Sequence, residues 1–64
     1  MKQRLVTAAI MQFEAQKLEA GVNLAVYLEN PAGVAEHPDV VQEVVKLVKR
    51  IAEAEECIKT LQEF

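Results

Sequence analysis

Apolar residues in the second half of the chain recur in an unbroken 4-3 rhythm: Val40, Val44, Leu47, Ile51, Ala54, Ile58 and Leu61. That spacing keeps one face of an α-helix apolar turn after turn, and it predicts a helix over 38–63 with a core-facing seam. A second apolar line, Val41, Val45, Val48 and Ala52, lies roughly 120° round the helix from the first at about 100° per residue. It stops where Glu55 and Glu56 begin. Only the first half of this helix is therefore apolar on two sides. Its outer face offers Lys49 with Glu53 and Glu55 with Lys59, i,i+4 pairs that each support a helix by about 0.3 kcal/mol.

The first half of the chain predicts a helix over 2–29, again with two apolar lines. One comprises Met11, Ala15, Leu18, Val22 and Ala25; the other comprises Val6, Ile10, Phe13, Ala20, Leu24 and Tyr27. The two lines are separated by roughly 150°. Gln12, Gln16, Glu19 and Asn23 fall in the wider gap and mark a solvent face. Lys17 interrupts the second line and must reach outward along its apolar stem.

Between the two helices lies the strongest punctuation, Asn30-Pro31-Ala32-Gly33-Val34-Ala35-Glu36-His37-Pro38, with both prolines and one of the two glycines. Proline disfavours helical geometry in the residue before it, so Asn30 should end the first helix, and Pro38 suits the first position of the next. His37 is then the expected cap, with Asp39 in the first turn complementing the helix dipole. Gly33 and Val34 are the expected turn residue and end plug beside Pro31. The fold class that follows is all-α: one domain, residues 1–64, forming a two-helix antiparallel hairpin with its turn at 30–37. At about 1.5 Å per residue the helices match in length along their whole run.

Two packed helices cover one seam each, yet this chain supplies nearly two. A lone hairpin would expose a large apolar patch, and so small a core seldom supplies more than about 3 to 5 kcal/mol. The expectation is a homodimer in which two hairpins make a four-helix bundle. Its interface residues are expected to be Met11, Leu18, Val22 and Val26 on the first helix and Val41, Val45, Val48 and Ala52 on the second.

Composition narrows the chemistry. Half the residues are apolar (52%) but aromatic ones are only 5%, which excludes a disordered acidic peptide and stacking platforms for bases alike. A net charge of −3 argues against general nucleic-acid or anionic-membrane binding. Lys46, Lys49 and Arg50 are the one basic cluster, flanked by Glu43 and Glu53; a small four-helix RNA-binding regulator is the alternative it supports. Cys57 and His37 are each the sole residue of their type, so neither an intrachain disulfide nor a Cys/His zinc site can form, and a reducing cytoplasm is expected. The chain has no serine, and its Cys and His stand roughly 30 Å apart along one helix, so no catalytic dyad is predicted. Glu36, His37 and Asp39 have donor types suited to a metal, but acids at a helix start have a structural use already. No catalytic residue, metal or cofactor is expected. Lys2 and Arg4 before the apolar run from Leu5 imitate a signal peptide only weakly, and no stretch has the length of a membrane span.

The stretch from Asn30 to Asp39, followed by Lys46-Leu47-Val48 and Ile51-Ala52-Glu53-Ala54-Glu55-Glu56, resembles short helical-hairpin proteins of tailed phages, many of them marine. The resemblance covers residues 20 to 61 and is most specific in the turn, where those proteins carry a second glycine and this chain has Ala35. It implies a helical hairpin and carries no activity with it. The expected role is that of a non-enzymatic interaction protein whose partner is itself, with a further protein partner left open.

Overall fold

The computed structural model describes residues 1–30 and 39–64, which form two helices, α1 (Lys2–Glu29) and α2 (Val40–Leu61), packed side by side as a hairpin. The particle measures 47 × 15 × 14 Å, the length of α1 by the thickness of two helices. Pro31, Gly33, Val34, His37 and Pro38, to which the turn was assigned, lie outside the described residues.

Local chemistry sets the helix ends. At Asn30 the backbone leaves helical geometry (φ −144°), as a residue preceding proline must, while its N–H still donates to the Val26 carbonyl at 2.9 Å. The start of α2 corrects the expectation that His37 caps a helix beginning at Pro38. The helix begins at Val40, and Asp39 is its cap: the carboxylate Oδ1 accepts from the Gln42 N–H at 3.1 Å. Aspartate here satisfies one of the four N–H groups that a helix start leaves without intrahelical partners. At the other end α2 stops at Leu61 rather than Glu63. The Thr60 hydroxyl donates to the Glu56 carbonyl at 2.9 Å, and the backbone tightens into a turn, with Glu63 N–H donating to Thr60 O and Phe64 N–H to Leu61 O.

Each helix turns one of its apolar lines inward. On α2 the 4-3 seam faces α1: Leu47, Ala54 and Ile58 are buried, and Val40, Val44, Ile51 and Leu61 are half-buried. On α1 the inward line is that of Val6, Ile10, Phe13, Ala20, Leu24 and Tyr27, with Ala20 buried and the rest half-buried. The most completely covered residues are the small ones, Ala20 and Ala54, because short side chains let two helices approach closely. Leu47 and Ile58 are the only large side chains in the core among the described residues.

Among the described residues one ion pair ties the helices together. Lys17, half-buried within the inward line, extends its ammonium to Glu55 Oε2 at 3.2 Å. This corrects the expected pairing of Glu55 with Lys59. The stem of Lys17 already lies along the seam, so its head group emerges beside α2 and meets the nearest carboxylate there. Glu43 pairs with Lys46 at 3.6 Å, and neither Lys49–Glu53 nor Glu55–Lys59 closes among the described residues. With both side chains about half exposed, the Lys17–Glu55 pair contributes at most about 1 kcal/mol.

Candidate interaction surface

With one line on each helix turned inward, the other is left facing solvent. Met11 is 66% exposed, Leu18 68%, Val22 56% and Val26 48% on α1, and Val41 is 69% exposed on α2. Val45, Val48 and Ala52 are exposed as well. All eight residues assigned to association therefore lie on the outside of the hairpin. Leu5 and Leu28 join them on α1; their exposure was not anticipated from the spacing, because neither falls on a regular line.

The total surface makes the same point quantitatively. The chain exposes 5091 Å², whereas a folded monomer of its mass is expected to expose roughly 4,100 Å². The excess, roughly 1,000 Å², is comparable with the ~800 Å² that each partner buries in a standard protein interface. It follows from the shape: two parallel rods have no second layer, so about half of each rod stays wet.

Polar chemistry on the hairpin is sparse. A groove between the helices is lined by Gln16, Glu19, Ala20, Arg50 and Glu53, mixing one cation with two carboxylates and no nucleophile. Cys57 is a free thiol, half-buried on the flank of α2 beside the buried Ile58. Among the described residues no three His, Cys, Asp or Glu side chains gather closely enough to hold a metal ion. Glu36 and His37 lie outside that set. The basic cluster is exposed at Lys46, Lys49 and Arg50, but Lys46 is engaged by Glu43, so the patch is locally part-neutralised. No described helix is long and apolar enough to cross a membrane. No family model matches the chain, and neither a curated protein nor a solved structure matches it.

Proposed function

We propose that this chain is a non-enzymatic interaction protein that acts as a homo-oligomer, the smallest form being two hairpins joined into a dimeric four-helix bundle. The observation that carries this reading is the pair of exposed apolar lines on a hairpin whose own core holds just two large side chains among the described residues. An aliphatic surface of this extent on so thin a core is stabilised by being covered, and a second copy brings the same chemistry to it.

Light scattering at micromolar concentration tests the proposal. The expected mass is at least twice the 7.1 kDa of one chain, with a melting midpoint that rises with protein concentration, as association linked to folding requires. Leu18→Lys and Val48→Lys, each on an exposed line, should lower the mass or the midpoint while leaving the helical circular dichroism of the hairpin intact. A stable folded particle of one chain would sink the proposal.

A further inference from the structure

The outer line of α1 extends into a regular 4-3 series that ends on a charge at either side. From Arg4 it steps to Ala8, Met11 and Ala15, and from Leu18 to Val22, Ala25 and Glu29, in intervals of 4-3-4-3-4-3-4. This series reads the same in either direction about the midpoint between Gln16 and Lys17. Its two ends carry opposite charges, and everything between them is apolar. From this we infer that a second copy of the chain docks α1 against α1 in antiparallel fashion, on a two-fold axis passing level with that midpoint. The inference rests on the proposed association and names the surface and register that would produce it.

Three features fix the occupant. The first is the match of positions. In the antiparallel register Ala15 faces Leu18 of the partner subunit, Met11 faces Val22 of the partner subunit, and Ala8 faces Ala25 of the partner subunit. Each layer thus sets a small or short side chain against another residue that fits it, as a close helix contact requires. Ala8 lies in an open hollow between Arg4 and Met11 that receives such a contact.

The second feature is charge. Arg4 and Glu29 are both exposed, and neither makes an ion pair within the described residues. Antiparallel docking brings Arg4 to Glu29 of the partner subunit at both ends of the contact, whereas parallel docking would set arginine on arginine and glutamate on glutamate. Each charge also sits at the wrong end of its own helix: α1 has no acid in its first turn and no base in its last. A cation at the start and an anion at the end oppose the helix dipole of their own chain, but they complement the dipole of an antiparallel neighbour.

The third feature is the flanks. Leu5, 64% exposed, comes beside Val26 of the partner subunit, and Gln12 beside Glu19 of the partner subunit. On the other flank Glu14 comes beside Gly21 of the partner subunit, so no acid meets an acid.

Disulfide trapping in a Cys57→Ala background tests the register on the full chain. Ala8→Cys alone and Ala25→Cys alone should not cross-link, since like positions lie roughly 25 Å apart by helical rise, but their mixture should give a covalent heterodimer. Arg4→Glu and Glu29→Arg, each of which favours its own helix dipole, should nevertheless raise the dimer dissociation constant about tenfold at low salt. Combining both changes in one chain should restore it. Self-cross-linking of either cysteine variant would mean parallel docking, and a dimeric mass without the mixed disulfide would mean another interface; both overturn this inference while leaving association standing. A single-chain mass would overturn both.

Discussion

Gly21 lies in the interior of α1, half-buried, and a methyl group added at its Cβ position meets nothing within 4 Å. Gly21→Ala therefore changes the conformational freedom of the chain with almost no change in packing. Alanine in a helix interior is favoured over glycine by about 0.8 to 1.0 kcal/mol, largely because the unfolded chain loses fewer states. With no clash to subtract and no new contact to add, the whole of that difference should appear as stability. For a domain of this size 1 kcal/mol moves the melting midpoint by about 4 to 8 °C, so a rise of about 3 to 8 °C is expected. Circular dichroism melts of both chains at matched concentrations read the shift, and urea titrations should give an unchanged slope, since the surface exposed on unfolding is the same. A midpoint that falls at every concentration would refute the reasoning. It would mean that a neighbouring chain occupies the space beside Gly21, closer than the flank position opposite Glu14 of the partner subunit allows.

Leu47 is 5% exposed and is one of the two large core side chains among the described residues; Leu47→Ala should cost about 2 to 5 kcal/mol, comparable with the entire stability of so small a core, and a urea midpoint shifted by less than about 1 kcal/mol equivalent would show that the hairpin seam is not what holds the chain together. Asp39→Ala removes the side-chain acceptor of the Gln42 N–H and should cost about 1 kcal/mol, whereas Asp39→Asn should cost only a fraction of that. Equal losses in thermal melts of the two variants would mean that the charge of Asp39 matters and its hydrogen bond does not.

The periodicities of the chain specify most of the architecture by themselves. A 4-3 seam on α2 and a proline-bounded break after Asn30 are local facts: the first depends on helical pitch and the second on the steric demand of the pyrrolidine ring, so both can be read without knowing what packs on what. The same holds for the separation of Met11, Leu18 and Val22 from Phe13 and Leu24 onto different sides of α1, whereas which of the two sides is exposed depends on where α2 packs. Helix limits were less legible. The sequence points to His37 as the cap because it precedes Pro38, yet the acceptor at the start of α2 is Asp39, whose carboxylate takes the Gln42 N–H, and helix ends shift by a residue or two with local backbone geometry.

What the tertiary structure decided is everything that depends on the axial offset between the helices. Spacing along one helix says that Lys17 interrupts an apolar line, but not that Glu55, thirty-eight positions away, stands opposite it. Once the offset is set, Glu55 turns to Lys17 at 3.2 Å and away from Lys59. Burial is ranked in the same way. Val44 and Leu47 are equivalent members of one seam in sequence, yet Leu47 is buried and Val44 half-buried, and the deepest positions belong to two alanines. A repeat defines direction around a helix axis but carries no information about distance to the neighbouring axis, and that distance, set where Ala20 and Ala54 allow the helices to close, determines how deeply each side chain is covered.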